Sequence, residues 1–258
     1  MTPKEKYKIL VKKTKEFFER QKFNKAVIGL SGGLDSSLTA KITVDAIGKE
    51  NVLGLIMPEK TNSPESLEYA KELAEQLGIK AVKIDINDFF TPFYKLLPWD
   101  QNNASKTNLK PRIRMTVLYN YANRHNAIVV GTSNKTEIIL GYFTKHGDNA
   151  TDFIPIGNLF KTELYEIAKE IGIPKKIIQR KPSAELEENQ TDEKDLGLSY
   201  KEIDEILAER EKQSFKKNLS KTEIEKELTE KFGEKAKSIL KRIEENRHKI
   251  KPIEKIEF

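Results

Sequence analysis

The stretch Ala26-Val27-Ile28-Gly29-Leu30-Ser31-Gly32-Gly33-Leu34-Asp35-Ser36-Ser37 decides the fold. Its first five residues form an apolar run too short for a helix and rich in β-formers, which predicts a strand buried on both faces. Two adjacent glycines then let the backbone turn sharply without Cβ obstruction, so that successive N–H groups converge on one point. A helix from about Ser36 to Ile47 follows and offers its free N–H groups and positive dipole end to the same place. Strand, glycine turn and helix together predict a phosphate cradle over Ser31–Ser37, with the hydroxyls of Ser31, Ser36 and Ser37 at its rim. Asp35 repels phosphate unless a cation lies between them, which assigns it to Mg²⁺; the alternative is a helix N-cap acid after an ordinary glycine turn. The string is neither the Walker A pattern nor the dinucleotide GxGxxG.

Working outward, Tyr7, Leu10, Val11, Thr14, Phe17 and Phe18 have helical spacing and predict a helix over 4–20. Val52–Met57 reads as a second strand stopped by Pro58. Ser63 as N-cap, Pro64 at the first helical position and Gly78 just past the end bracket the next helix. Ala81–Ile84 is a third strand, and helical patterns cover about 86–97 and 110–124. Ala127–Gly131 is a fourth strand, a helix lies near 133–140, and Phe153-Ile154 falls in a short fifth strand. Strands alternating with helices imply parallel pairing through right-handed crossovers. The expected fold class is therefore α/β, a doubly wound parallel five-stranded sheet. After about residue 198 the apolar strands vanish, leaving Lys/Glu-rich helices with turns at Lys217-Asn218-Leu219-Ser220 and Phe232-Gly233. This predicts one domain over 1–258, with a core of about 22–198 and a helical C-terminal extension of about 199–250.

Composition narrows the chemistry. The 258 residues include no cysteine, which excludes thiolate metal sites and a cysteine nucleophile. The 46 basic and 40 acidic residues, net +6, are interspersed, which predicts a solvated, ion-paired surface and no nucleic-acid partner. No segment approaches the ~20 apolar residues of a membrane span, and Met1-Thr2-Pro3-Lys4-Glu5-Lys6 lacks a signal-peptide core. A cytoplasmic location with no membrane partner is expected.

A second constellation follows the fourth strand. Gly131-Thr132-Ser133-Asn134-Lys135-Thr136-Glu137 lies at the carboxyl edge of the sheet, where ligands collect in such folds. Next comes Gly141-Tyr142-Phe143-Thr144-Lys145-His146-Gly147-Asp148-Asn149-Ala150-Thr151-Asp152, a glycine-bearing loop with one lysine and two acids. From spacing alone those acids are as readily solvated as ligating. Lys161 stands at the start of a helix running to about Ile171, where a cation opposes the dipole and an anionic partner would explain it; a flexible surface lysine is the alternative.

Ser-Gly-Gly-Leu-Asp-Ser-Ser resembles the loop of the PP-loop ATP pyrophosphatases, which cleave ATP between the α and β phosphates. The segment from Glu137 through Gly-Tyr-Phe-Thr-Lys to Asp148 and Asp152 is similar to the signature of NAD synthetases. Matches in the same order stand at Asn108–Met115, Lys161-Thr162-Glu163-Leu164, Lys181–Leu186, Asp192–Asp204 and Arg247-His248-Lys249. The chain thus resembles the short, ammonia-dependent NAD synthetases over roughly residues 5–250. The resemblance implies a Rossmann-like, adenine nucleotide α-hydrolase-like core and ATP-dependent amidation of deamido-NAD to NAD through an acyl adenylate, releasing AMP and pyrophosphate.

By residue, it implies that Asp35, Glu137 and Ser183 hold Mg²⁺ and that Asp35, Glu137 and Lys161 carry catalysis. Gly29, Leu30, Ser31, Gly32, Gly33, Leu34, Asp35, Ser36, Ser37, Met57, Thr132, Lys161 and Ser183 would contact ATP. Arg112, Lys145, Asp148, Asp152, His248 and Lys249 would hold deamido-NAD. It further implies a homodimer with Trp99 at the subunit contact and free ammonia or a separate amidase subunit as nitrogen source. Residues 180–197 join a Pro turn to a polar, acidic stretch, which predicts a mobile flap ordered by substrate. A tRNA-modifying PP-loop enzyme and a non-catalytic ATP-binding regulator are the competing readings.

Overall fold

The computed structural model describes residues 1–187, 190–216, 219–252 and 255–256. The chain runs α1 (Pro3–Gln21), β1 (Ala26–Gly29), α2 (Leu34–Ile47), β2 (Val52–Ile56), α3 (Pro64–Leu77), β3 (Lys80–Lys83), α4 (Asn87–Leu96), α5 (Asn103–His125) and β4 (Ile128–Val130). It continues through α6 (Lys135–Leu140), α7 (Lys161–Glu170), α8 (Lys175–Gln179), α9 (Asp192–Leu196), α10 (Tyr200–Lys216), α11 (Lys221–Phe232) and α12 (Glu234–Ile250).

Among the described residues the sheet has four strands, all parallel, in the order β3-β2-β1-β4. Strand β1 is central, with Ala26 level with Val52 on one side and Ile128 on the other. Period-two alternation divides its side chains between two cores. Ala26, Ile28, Val52, Ile56, Ile128 and Val130 pack with Phe18, Leu38, Ile42, Leu73, Leu164 and Ile167 from α1, α2, α3 and α7. Val27, Leu53, Leu55, Met57 and Val129 pack with Ile86 and Ala122 and, more loosely, Ile113, Val117 and Leu118 of α5. Both faces are covered, as an all-parallel sheet requires.

The fifth strand is not formed. Phe153 makes a single parallel bridge to Val130, with Gly131 N–H donating to the Phe153 carbonyl at 2.8 Å. Pro155 has no N–H to extend the ladder, and the chain turns away over 155–158. Phe153 instead stacks on Phe17, ring centroids 4.1 Å apart.

Helix starts follow local rules. Thr2 and Glu5 form a capping box on α1, and Ser63 caps α3 with Pro64 at its first position. Helix α5 begins at Asn103, earlier than its apolar pattern suggests, because Asn102 caps it and Pro111 is accommodated inside. Of the turn expected at Lys217–Ser220, Lys217 and Asn218 lie outside the described residues; Ser220 caps α11.

Helices α10, α11 and α12 enclose a second core of Tyr200, Ile203, Ile206, Leu207, Ile224, Leu228, Ala236 and Ile239, joined by Leu140 of α6. At the C-cap of α6 Gly141 has φ +61°, and a Cβ there would collide with Asn246 of α12. The extension therefore grips the element that carries Glu137. No helix among the described residues is long and apolar enough to cross a membrane.

Candidate active site

The order β3-β2-β1-β4 places a topological switch between β1 and β4, and the cradle opens at their carboxyl ends. Gly32 has φ +73°, and a Cβ there would collide with the Ser66 carbonyl, so the turn admits only glycine. The serines lock the turn. Ser31 Oγ lies 3.0 Å from Ser36 Oγ and accepts from Gly33 N–H at 3.2 Å, while Ser37 Oγ donates to the Gly33 carbonyl at 2.7 Å. The N-terminus of α2 has no side-chain cap, so its first N–H groups stay free for a ligand.

Three charged side chains meet beside this turn. Lys161 Nζ lies 2.6 Å from Asp35 Oδ2 and 3.6 Å from Glu137 Oε1, with the lysine side chain only 6% exposed. Asn134 closes the group: its Nδ2 donates to Asp35 Oδ2 at 3.2 Å, and its Oδ1 caps α6 by accepting from Glu137 N–H at 3.0 Å. Burial disfavours charge on Glu137 and the facing Asp35 carboxylate adds to this, so its pKa stands well above the usual carboxylate range. Burial alone would lower the pKa of Lys161, but Asp35 and Glu137 outweigh it and keep the ammonium protonated. The anionic partner that a lysine at the first position of α7 requires is thus supplied by the protein's own carboxylates.

A third acid borders the group. Asp192 of α9 is buried and accepts from the hydroxyls of Tyr200 at 2.8 Å and Tyr142 at 3.2 Å. Burial raises its pKa, against the pull of Lys161. Tyr200 places its ring 5.1 Å from Lys161 Nζ, a cation–π contact. Sequence reading quoted Asp192, Asn134, Tyr142 and Tyr200 only as members of motifs and gave none of them a role. The pattern Asn134-x-x-Glu137 is a readable capping box, but nothing local announces the tyrosines.

The cavity above the cradle has a volume of about 550 Å³. Gly29, Leu30, Ser31, Gly33, Leu34, Asp35, Ser36, Met57, Thr132, Glu137, Lys161, Ser183 and Asp148 border it. Gly32 and Ser37 are buried and do not line it. Ser183 is turned into its own loop, donating to the Gln190 carbonyl at 2.7 Å and accepting from Glu185 N–H at 3.1 Å.

Arg112, Lys145, His248 and Lys249 form a separate outer cluster that does not line the cavity. Arg112 donates to the Lys145 carbonyl at 3.2 Å, and Lys145 Nζ to the His248 carbonyl at 3.0 Å. Lys249 Nζ donates to the carbonyls of Gly141 and Phe143. Asp152 braces the sheet, accepting from Val129 N–H at 2.8 Å and Tyr119 Oη at 2.9 Å.

The segment expected as a flap is held down at its near end; Glu188 and Asn189 lie outside the described residues. Glu185 pairs with Arg180 and accepts from Ser66 Oγ at 2.7 Å and Asn62 Nδ2 at 3.0 Å. Lys110 pairs with Glu59 and donates to the Leu186 carbonyl at 2.7 Å. These contacts fasten 180–187 to the loop after β2 and the start of α3.

A divalent cation fits the inner group. Asp35 Oδ1 is buried without a hydrogen-bond partner, and both carboxylates offer hard oxygen donors. Among the described residues no three His, Cys, Asp or Glu side chains form a complete metal cage. Two carboxylates completed by substrate phosphates is the pattern that suits Mg²⁺.

A parallel sheet with a glycine-turn phosphate cradle and an acid–lysine cluster at its switch point defines a nucleotide-dependent α/β enzyme. The chain belongs to the NAD synthase family, whose profile matches residues 6–253. It is 51% identical over 206 residues to the NH₃-dependent NAD⁺ synthetase of Methanocaldococcus jannaschii, covering 79% of this chain and 80% of that one. Its fold matches an NMN synthetase from Francisella tularensis at TM-score 0.86 and 34% identity, over 100% of both chains. It also matches an NH₃-dependent NAD synthetase from Campylobacter jejuni at TM-score 0.80 and 30% identity, again over 100% of both.

Proposed function

We propose that this chain is a carbon–nitrogen ligase that amidates deamido-NAD with ammonia at the expense of ATP. The observation that carries this reading is the Asp35–Lys161–Glu137 group set beside the phosphate cradle, in a chain of the NAD synthase family. In the first step a nicotinate carboxylate oxygen attacks the α-phosphorus of ATP, the bond to the bridging oxygen breaks, and pyrophosphate leaves. In the second, ammonia nitrogen adds to the acyl carbon, AMP departs with the bonding pair, and one proton is lost from nitrogen. No enzyme nucleophile is needed, in keeping with a chain that contains no cysteine.

The protein must hold two anions together. The turn Gly29–Ser37 and the start of α2 bind the phosphates, and Met57 and Thr132 border the rest of ATP. Lys161 stays charged beside the cradle and would offset the charge that develops as pyrophosphate leaves. Asp35 and Glu137, with Ser183 in the loop above, would hold Mg²⁺, which supplies charge neutralisation on the phosphates. Arg112, Lys145, Asp148, Asp152, His248 and Lys249 form the outer contact set for deamido-NAD, supported by the connected cluster that links the Gly141–Asp152 loop to α12. Phe89, Phe93, Leu96 and Trp99 are exposed apolar side chains on and after α4, which supports a homodimer. The core 22–198 and extension 199–250 act as one domain, and the composition agrees with a cytoplasmic enzyme.

The test is chromatographic detection of NAD from deamido-NAD, ATP and Mg²⁺ with and without ammonium. NAD that appears only with ammonium supports the reading; none with every component present overturns it. A second reading is favoured by the full-length likeness to an NMN synthetase. Here the same cradle amidates the mononucleotide. The same assay run on nicotinate mononucleotide separates them by the ratio of kcat/KM.

A further inference from the structure

One buried carboxylate outside the cavity ties together the two elements that carry Glu137 and Lys161. Asp204 lies in α10, in the helical extension, and is 4% exposed. Its Oδ1 accepts from Thr136 Oγ1 at 2.5 Å, and its Oδ2 accepts from the backbone N–H of Thr162 at 2.8 Å. Thr136 Oγ1 in turn accepts from the backbone N–H of Lys161 at 3.0 Å. Thr136 is the chain neighbour of Glu137, and Thr162 that of Lys161. We propose that Asp204 is a positioning residue that sets the separation of Glu137 and Lys161.

The geometry explains why an acid is needed there. Thr162 occupies the second position of α7, and its N–H is one of the four that a helix leaves without an internal partner. A carboxylate also gains from the positive end of that dipole. Burial raises the pKa of Asp204, and the bonds from Thr136 and Thr162 work against that rise. Asparagine can still accept from Thr162 N–H, but it loses the negative charge at the start of α7 and reverses the bond to Thr136, whose Oγ1 then accepts from both N–H₂ and Lys161 N–H while its own hydrogen loses its partner. Small displacements matter here: a misplacement of about 1 Å costs on the order of 10²-fold in rate.

The inference rests on reading Asp35, Glu137 and Lys161 as the reacting centre. Its test compares wild type, Asp204→Asn, Thr136→Val and, as a purely structural comparator, Leu228→Ala in the core of the extension. At a temperature where circular dichroism shows all four folded, Asp204→Asn and Thr136→Val lose about 10²-fold in kcat. Their KM for deamido-NAD and calorimetric affinity for ATP alone stay within about twofold. Leu228→Ala melts earlier yet keeps its kcat. A kcat within twofold of wild type in folded Asp204→Asn, or an equal loss in Leu228→Ala, overturns the assignment. A crystal structure of Asp204→Asn supplies a readout that does not depend on activity. A changed separation of Lys161 Nζ from the Glu137 carboxylate is expected, and an unchanged one overturns the proposal. Failure of wild type to form NAD would count against the proposed reaction and leave this structural comparison standing.

Discussion

The Ser31–Ser37 turn is fastened by hydrogen bonds that span at most five residues. Asp35, Glu137 and Lys161, directly beside it, are assembled across the chain: Asn134 reaches Asp35 over 99 residues and Lys161 reaches it over 126. The turn is determined by its own glycines and hydroxyls. The charged group exists only once β1, α6 and α7 are docked and α10 is clamped on. The shape of the turn is therefore a local property of this sequence, and the charged group is a property of the completed fold.

Removing Lys161 strains that contrast most. Lys161→Ala leaves two largely buried carboxylates facing each other without their cation, a change that costs about 3–5 kcal/mol when one partner of a buried pair is deleted. Denaturant titration should show that loss, with kcat lower by about 10²–10³-fold. A variant as stable as wild type would mean that the group is not electrostatically coupled.

The smaller change Glu137→Gln works in the opposite direction on stability. The raised pKa of Glu137 means that the folded protein holds its proton more tightly than the unfolded chain does. Stability is therefore lost as pH rises above the unfolded carboxylate value towards the folded one. Glu137→Gln removes that loss. Ligand-free and in EDTA, the variant should melt higher than wild type near pH 8, by the roughly 0.5–2 kcal/mol typical of a stabilising substitution, and the gap should close as the pH falls to 4. Adenylation should nonetheless disappear. A variant that melts lower at pH 8 would break the account.

Ser37→Ala probes the self-contained side of the comparison. Ser37 is fully buried, and its hydroxyl donates only to the Gly33 carbonyl among the described contacts. Loss of about 1 kcal/mol is expected by thermal melting, with ATP affinity reduced less than threefold. A tenfold loss of affinity would place that hydroxyl on the nucleotide instead.

The same contrast explains what the sequence disclosed. Strands β1, β2 and β4 were readable because a doubly buried strand is a continuous apolar run, and the cradle because Gly32-Gly33 has few other uses. Phe153-Ile154 has strand-like residues, yet Pro155 and the following turn limit it to one bridge, a tertiary outcome that propensity does not reveal. Asp35, Glu137 and Lys161 were legible through motif resemblance. Asn134 was legible in principle as a cap. Asp192, Tyr142, Tyr200 and Asp204 were not, because each acts on a residue tens of positions away and nothing in its own neighbourhood records the partner. Arg112, Lys145, His248 and Lys249 do sit together, but on an outer cluster that spacing could not separate from the inner one.

The most direct test of the assembled group is pyrophosphate–ATP exchange with deamido-NAD present and ammonium absent. Wild type should return labelled pyrophosphate to ATP only when deamido-NAD is added, and Asp35→Ala and Glu137→Gln should show no exchange while remaining folded. Exchange that needs no deamido-NAD, or that persists in either variant, would contradict the claim that these carboxylates and Lys161 carry the adenylation.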